Sequence, residues 1–275
     1  MALSWYDEVR ARVAPDGLVV EVVGEGARSL PRSERHLVVS SMRAAFDRLG
    51  GQPAGLSVRC ANSLPQSRGL GSSSAAIVAG VLAARALVVD GVELLDDDAV
   101  LALATELEGH PDNVAPCLLG GFTLAWAGDD GVRAVSRALH PDVVAVVLLP
   151  TERSSTKQVR GLLPAQVPHA DAAANGVRSA LLSLALTDDP SLLLAATEDR
   201  LHQAYRAPVM PRTAELVASL RGAGLAAVVS GAGPSVLVLT VSDQVPVVER
   251  LCPAGWALHR LAVDQQGATV ACDAP

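Results

Sequence analysis

The sequence predicts a globular protein of one or two domains that mixes helices with strands, in the α/β or α+β class. Half of its 275 residues are hydrophobic and only 3% are aromatic, a composition that suits a well-packed core and argues against disorder. Segments with helical spacing of apolar residues follow short apolar or alternating segments of strand length. After Pro150 these segments look like a second unit.

The first half predicts a sheet covered by helices. The predicted strands are Ser4–Glu8, Leu18–Val23, Gly55–Asn62, Phe122–Trp126 and the fully apolar Val143–Leu149. The predicted helices are Ser33–Leu49, Ala75–Arg85 with an extension to about Val89, Val100–Glu108 and a short Asn113–Leu119. The turn Pro15-Asp16-Gly17 joins the first two strands as a hairpin or meander. Ser33 is the expected N-cap of the first helix, and the acidic run at 96–98 begins the third.

The second half predicts a β-α-α-β-β-α-β order, which indicates a ferredoxin-like layer with a split βαβ motif. A helix is expected to begin in Glu152–Arg160. Further helices are expected at Ala170–Leu186, Ser191–Glu198 leading into Asp199–Arg206, Arg212–Arg221 and Pro246–Leu251. The predicted strands are Ala226–Ser230, Val236–Thr240 and Trp256–Leu261.

Charge and composition exclude several function classes. The formal net charge is −7 and no basic stripe is present, which argues against a nucleic-acid partner. No uninterrupted apolar run of about 18 residues occurs, and the N-terminus lacks the pattern of a signal peptide, so we expect no membrane span and a cytoplasmic protein. The four cysteines, Cys60, Cys117, Cys252 and Cys272, are scattered, which favours idle thiols in a reducing compartment over a metal site.

The stretch Pro65–Ala76, PQSRGLGSSSAA, joins a predicted strand to a helix N-terminus. Free backbone N–H groups and the positive end of the helix dipole make such a junction a natural anion site. The glycines allow a ligand to approach the backbone, and the serines offer hydroxyl groups to phosphate oxygens or a metal. The alternative is an ordinary serine-capped helix after a flexible turn. Three consecutive serines favour the phosphate site.

Two acidic residues lie at the end of the predicted helix Val100–Glu108. Glu106 and Glu108 lie at its C-terminal end, where carboxylates oppose the helix dipole. Mg²⁺ is a candidate partner because it takes one or two carboxylates together with substrate phosphates. Residues two apart on a helix point to different sides, so at most one of the two is expected to face a site. The alternative is that both are solvated surface acids.

Four other polar clusters carry both a functional and an ordinary interpretation. They are His110, Asp112 and Asn113 after the helix; Arg153, Thr156, Lys157 and Arg160; the i, i+4 pair His202 and Arg206; and the turn Gly231–Ser235. Taken one by one, they could be a helix-stop turn, a solvated face, a surface pair and a plain turn. No acyl-transfer triad, paired-histidine metal spacing or Walker-type motif is present.

The motifs together carry a family resemblance. Pro65-x-x-x-Gly-Leu-Gly-Ser-Ser resembles the phosphate-binding motif of the GHMP small-molecule kinases, and Ser230–Ser235 resembles their C-terminal glycine motif. Within that family, four features resemble the homoserine kinases. They are Arg68 before the Gly-Leu-Gly, the run Glu108–Pro116, the run Arg153–Lys157, and Leu201-His-Gln-x-x-Arg206. The motifs occur in the expected order, and the resemblance covers essentially the whole chain.

The resemblance implies an α+β fold with two domains: a truncated, ribosomal protein S5 domain 2-like nucleotide-binding domain over residues 1–140 and a ferredoxin-like domain over residues 141–275. It implies ATP-dependent phosphorylation of the side-chain hydroxyl of L-homoserine in threonine biosynthesis, with ATP and Mg²⁺ as cofactors and a homodimer as a candidate assembly. Two alternatives stay open: a sister kinase acting on a mevalonate-type substrate, and a catalytically silent nucleotide-binding fragment.

The resemblance also implies roles for individual residues. The phosphates of ATP would be wrapped by Pro65, Gln66, Ser67, Arg68, Gly69, Leu70, Gly71, Ser72, Ser73, Ser74 and Ala75, with Asn62 near the nucleotide and Gly231 and Gly233 supporting the loop. Ser73 and Glu108 would hold Mg²⁺, with Ser72 and Glu106 as second choices. The homoserine pocket would be lined by His110, Asp112, Asn113, Thr156, Arg160 and Arg206. Asp112, Asn113 and Arg160 are the catalytic candidates, and Asp112 is the carboxylate to test as a general base.

The sequence departs from the family at its start. Homoserine kinases carry a longer N-terminal segment with an Asn-Leu-Gly-x-Gly-Phe-Asp motif that contributes to the amino acid pocket. This sequence begins at Met1 with ALSWYDE, which resembles the strand after that segment. The start codon is misassigned or the protein is truncated, and we expect misassignment because the other motifs are intact.

Overall fold

The fold was analysed in a computed structural model that describes residues 1–152, 159 and 161–272. The chain divides into two compact units. The first contains Met1–Leu64, Gly71–Arg137 and the C-terminal residues from Asp264. The second contains Pro65–Leu70 and the described part of Ala138–Val263. The predicted phosphate loop is therefore divided, because the chain passes from the second unit to the first between Leu70 and Gly71.

The first unit contains two small sheets and a layer of helices. Its strands are β1 (Glu8–Ala14), β2 (Gly17–Gly24), β3 (Gly55–Asn62), β4 (Phe122–Gly128) and β5 (Gly131–Arg137). Its helices are α1 (Leu37–Arg48), α2 (Ser72–Ala86), α3 (Gly91–Leu94), α4 (Asp97–Glu108) and α5 (Val114–Leu119).

The first sheet has the order β1-β3-β2, which corrects the predicted hairpin. β1 pairs with β3 antiparallel and β2 pairs with β3 parallel, so Ala14 and Gly17 both face Gly55. Gly55 lies directly under the turn, since a Cβ there would come within 2.3 Å of the Asp16 carbonyl. The first strand was also wrongly predicted at Ser4–Glu8. It begins at Glu8, where partly buried Val9 and Ala11 alternate with the exposed Arg10 and Arg12, a strand pattern that the prediction did not use.

The core of the first unit lies between this sheet and the helices. Leu56, Val58 and Cys60 of β3 are buried, as their alternation predicted, and pack in one cluster with apolar residues of α1, α2, α4 and α5. The predicted helix start at Ser33 was wrong. Ser33–His36 forms a turn, in which the His36 amide donates to the Ser33 carbonyl at 2.9 Å, and α1 begins at Leu37 without a side-chain cap.

The ribbon of β4 and β5 pairs antiparallel from Phe122↔Arg137 to Gly128↔Gly131. The sequence analysis predicted only its first strand, because charged residues and serine interrupt the second. The C-terminal residues from Asp264 onward bind by backbone hydrogen bonds to α5 and to the residue just before β4. The Gly121 amide donates to the Asp264 carbonyl at 2.6 Å, and the Ala268 amide donates to the Cys117 carbonyl at 2.8 Å.

The second unit contains one sheet with helices around it. Its strands are β6 (Val144–Leu149), β7 (Ala226–Val229), β8 (Val236–Thr240) and β9 (Ala257–Leu261), in the order β7-β8-β6-β9. Its described helices are α6 (His169–Thr187), α7 (Leu193–Ala196), α8 (Gln203–Arg206), α9 (Pro211–Gly222) and α10 (Val245–Leu251). All the strand pairs are antiparallel, which is the split βαβ arrangement that the sequence predicted.

Two details of the second unit differ from prediction. Asp199–Arg206 was expected to be one helix, but only Gln203–Arg206 is helical, and His202 precedes it as N-cap. His202 and Arg206 therefore do not share a helix face. Asp199 accepts from the backbone N–H groups of the three residues Leu201, His202 and Gln203, and this turn leads into a helix that begins only at Gln203.

Of the helices formed by the described residues, none combines the length and the hydropathy that crossing a bilayer requires.

We expect Gly80→Ala and Gly176→Ala to change stability in opposite directions. A Cβ at Gly80 of α2 would lie 2.5 Å from the Val38 carbonyl oxygen of α1 and 2.9 Å from the Ser41 Cβ, so the two helices must separate. The expected cost is about 1–3 kcal/mol of unfolding free energy. A Cβ at exposed Gly176 of α6 meets nothing within 4 Å, and alanine there should stabilise by about 0.5–1 kcal/mol. Urea unfolding measures both, and equal effects would contradict the prediction.

Candidate functional site

The N-terminus of α2 presents free backbone donors in the first unit. Gly71 adopts a left-handed conformation with φ of 74°, and the helix begins at Ser72, three residues before its predicted start. No side chain caps it, so the expected alternative of a serine-capped helix is not what forms. The first amide to bond within the helix is that of Ala75, which donates to the Gly71 carbonyl. The preceding amides and the positive end of the helix dipole can therefore bind an anion.

A carboxylate lies beside this helix end. The Ser73 Oγ donates to Glu108 Oε1 at 2.6 Å, and the Glu108 side chain is only 11% exposed. Glu106 points elsewhere and pairs with Arg48 at 3.1 Å on the surface, with 66% of its side chain exposed. Of the two predicted acids, the structure thus brings only Glu108 to the predicted phosphate site. Its carboxylate and the Ser73 hydroxyl are oxygen donors of the kind that Mg²⁺ prefers.

The turn after α4 lies at the same helix end. The His110 Nδ1 contacts the Asp112 Oδ1 closely, and its Nε2 lies 3.9 Å from Glu108 Oε1. A Cβ added to Gly71 would lie 3.8 Å from the Asn113 Cβ, so Asn113 borders the start of α2. Asn62 lies at the end of β3, where its side-chain amide donates to the Glu25 carbonyl at 3.1 Å.

In the second unit, the loop Pro65–Leu70 packs against the turn Gly231–Ser235. The Ser230 Oγ donates to the Gly69 carbonyl at 2.8 Å, and the Ser235 amide donates to the Arg68 carbonyl at 3.3 Å. A Cβ at Gly69 would lie 2.1 Å from the Ser230 carbonyl oxygen. The Arg68 guanidinium also donates to the Pro150 carbonyl. The two glycine motifs of the sequence are therefore in direct backbone contact.

The glycine turn is held by residues that sequence reasoning found and by others that it missed. Arg206, predicted from its motif, donates from Nη1 to the Gly231 carbonyl at 3.1 Å. Thr213 was missed, although its buried Oγ1 donates to the Pro234 carbonyl at 2.7 Å. Met210 was missed as well, and its Sδ would lie 2.8 Å from a Cβ at Gly233. Neither carries a local motif, because their importance comes from contacts distant in sequence.

Comparison with known proteins identifies the family. The family model described as GHMP kinases N terminal domain matches residues 36–121, and that described as GHMP kinases C terminal matches residues 179–258. The homoserine kinase of Streptomyces coelicolor is 57% identical over 270 residues, with 98% of this chain and 87% of the relative covered. That of Streptomyces avermitilis is 56% identical, with 98% and 88% covered.

The chain belongs to the homoserine kinases of the GHMP kinase family. The crystal structure of homoserine kinase from Cytophaga hutchinsonii matches it with a TM-score of 0.81 at 27% identity, covering 95% of this chain and 87% of that one. The predicted α+β GHMP kinase fold is confirmed. The chain is an enzyme of the kinase class, and the family implies ATP as its phosphate donor.

Some predicted site residues lie outside the described part of the chain. They are Arg153, Thr156, Lys157 and Arg160. Within the described residues no group of three or more His, Cys, Asp or Glu side chains could hold a metal. Cys60, Cys117, Cys252 and Cys272 are free thiols. Burial raises the pKa of Cys60 to about 11 and that of Cys117 to about 12, which keeps both protonated and unreactive near neutral pH.

We expect Gly69→Ala to destabilise the protein more than Gly71→Ala. Both glycines have a positive φ, 76° and 74°, so alanine costs about 1–2 kcal/mol at either position. Only at Gly69 does the new Cβ meet a backbone oxygen, at 2.1 Å, whereas at Gly71 its nearest neighbour is 3.8 Å away. The loss at Gly69 should therefore exceed that at Gly71 by about 1 kcal/mol or more. Denaturant unfolding measures the difference, and equal losses would show that the loop and the glycine turn are not tightly packed.

Proposed function

We propose that this chain transfers the γ-phosphoryl group of ATP to the side-chain hydroxyl of L-homoserine and forms O-phospho-L-homoserine for threonine biosynthesis. The observation that carries the proposal is the 57% identity to a homoserine kinase across 98% of the chain. The contacts of the glycine-rich loop, the acid beside α2 and the arginine at the glycine turn support it.

The ATP phosphates are the ligands that we assign to the loop Pro65–Leu70 and the start of α2. Phosphoryl transfer depends mainly on positioning and on stabilising the charge of the transferred group. Backbone amides at a helix N-terminus serve both purposes, because they donate hydrogen bonds and concentrate the positive end of the dipole. The hydroxyl groups of Ser72 and Ser73 add donors in the first turn, whereas the Ser74 side chain is buried. The Arg68 guanidinium donates to the Pro150 carbonyl and holds the loop in place.

Ser73 and Glu108 are the residues that we assign to Mg²⁺. A hydroxyl and a carboxylate are hard oxygen ligands, and the hydrogen bond of 2.6 Å between the Ser73 Oγ and Glu108 Oε1 supports binding of one ion by both. When bound, the ion would supply neutralisation of phosphate charge. Ser73 and Glu108 then also orient the phosphates relative to α2. Glu106, paired with Arg48, and Ser72 are the weaker choices.

The amino acid substrate is assigned to polar residues of the family motifs. In this proposal Arg206 binds the carboxylate of homoserine, since a guanidinium binds a carboxylate through two parallel hydrogen bonds. Thr156 and Arg160 have assigned roles from the family motif alone. His110, Asp112 and Asn113 are likewise assigned to substrate binding, and Asp112, which contacts the His110 ring, is the side chain to test as a proton acceptor. Cytoplasmic location and a homodimeric assembly are further parts of the proposal.

We expect the protein to release ADP from ATP and Mg²⁺ when L-homoserine is present, above a control without acceptor. A coupled ADP assay with a panel of L-homoserine, L-threonine, L-serine and mevalonate measures the specificity. Phosphorylation of mevalonate but not homoserine would assign the chain to a sister activity. ATP binding with no turnover on any acceptor would identify it as a nucleotide-binding fragment.

We expect Glu108→Gln to lower kcat by about 100-fold or more, the scale at which one group that stabilises developing charge contributes to catalysis. Glu106→Gln is the matched control, because it removes a carboxylate two residues away that pairs with Arg48 on the surface. The control should stay within about twofold of the parent, since an exposed ion pair contributes little. Activity titrated with Mg²⁺ measures both variants. A similar loss in the two, or an unchanged Mg²⁺ requirement in Glu108→Gln, would remove Glu108 from the metal site.

A further inference from the structure

We propose that Asp199 is a positioning residue for the amino acid substrate, because it fixes the short helix α8 that carries Arg206. This inference rests on the proposed function, in which Arg206 binds the substrate carboxylate. Asp199 is not part of any of the motifs described in the sequence. Its role follows from the contacts of its side chain within the second unit.

The Asp199 carboxylate organises the start of α8. Its Oδ1 accepts from the Leu201 amide at 3.1 Å, and its Oδ2 accepts from the His202 and Gln203 amides at 2.9 and 2.6 Å. A fourth donor comes from α6, where the Asn175 Nδ2 lies 3.1 Å from Asp199 Oδ1. Three successive backbone amides and one amide side chain therefore converge on a single carboxylate.

The hydrogen-bond donors around this carboxylate favour its ionised form. Burial by itself would raise the pKa of Asp199, but the hydrogen bonds from Gln203, Asn175, His202 and Leu201 hold it below the usual range. Asp199 is thus ionised throughout the neutral range, and charge-assisted hydrogen bonds of this kind are stronger than neutral ones. Asn175 is itself oriented, because its Oδ1 accepts from the Arg200 amide at 2.9 Å.

Apolar packing around α8 is incomplete, since none of the residues Gln203–Arg206 is fully buried. A cavity of about 200 Å³ is lined by Gln203 and Ala204 of this segment and by Ala214, Val217 and Ala218 of α9. A four-residue helix is too short to persist by itself. Its position therefore depends in part on hydrogen bonds.

Those hydrogen bonds connect Asp199 to the glycine turn. At the start of α8 the Gln203 Oε1 accepts from the Val229 amide of β7 at 2.8 Å. At its end Arg206 donates to the Gly231 carbonyl at 3.1 Å. Asp199 binds the Gln203 amide, the first of this helix, and the two amides before it, so its loss releases the backbone that orients Arg206. The neighbouring charges lack this connection, since Glu198 pairs with Arg178 and Asp171 pairs with Arg200.

The test compares Asp199→Asn with Glu198→Gln in steady-state assays. Asparagine keeps the size of the side chain but presents an NH₂ group to backbone donors. We expect the KM for homoserine to rise roughly 10- to 100-fold in Asp199→Asn, the factor expected for lost hydrogen bonds to a charged group, with the KM for ATP within about twofold. Glu198→Gln should leave both KM values unchanged. Equal rises in the two KM values, or none, would overturn the proposal.

A second measurement separates this inference from the proposed function. Amide hydrogen exchange on the protein without substrate should show faster exchange at residues 201–206 in Asp199→Asn and not in Glu198→Gln. Unchanged exchange would overturn the positioning role whether or not the protein is active. If the parent protein fails to phosphorylate homoserine, the proposed function is wrong, and exchange still decides whether Asp199 fixes α8. Should Asp199→Asn not fold, Asn175→Ala, which removes one donor to the same carboxylate, should show both effects at smaller size.

Discussion

The second unit depends on a backbone contact that only glycine permits. The carbonyl of Ser230 lies where a Cβ of residue 69 would be, at 2.1 Å, so the loop Pro65–Leu70 and the glycine turn can lie together only without that atom. Side chains of other segments hold both the loop and the glycine turn in place. Arg68 anchors the loop to Pro150, while Arg206 and Thr213 donate to carbonyls of the turn. The loop that we assign to phosphate binding is thus shaped by neighbours distant in sequence.

In the first unit, the Glu108 carboxylate lies near the ends of two helices with opposite dipoles. Glu108 ends α4, where a carboxylate is opposed by the dipole of its own helix. The fold brings the same carboxylate to Ser73 in the first turn of α2, where the dipole has the opposite sign. Glu108 is therefore stabilised by a neighbouring helix. A cluster formed in this way has both an acid and free backbone amides, which is the combination that a phosphate and its counter-ion require.

Prediction from the sequence succeeded where the signal is local. The acidic run at 96–98 was predicted to begin a helix that ends at Glu108, and α4 does both, with Asp96 as its N-cap and a left-handed Gly109 after its last residue. The buried face of β3 follows from alternation alone. Prediction failed where pairing between distant segments decides the outcome. The turn at Pro15–Gly17 exists, but β3 lies between the two strands that it joins, and no residue near the turn encodes this.

The sequence by itself determined the family, most of the elements and the identity of most residues assigned to the site, because motifs and periodicity are short-range properties. Only the tertiary structure decided which of Glu106 and Glu108 reaches α2, that the two glycine motifs touch, and that the short helix α8 rather than a long helix carries Arg206. Each of these involves hydrogen bonds between segments that are distant in sequence. Such contacts have no signature in the residues that make them until the chain is folded.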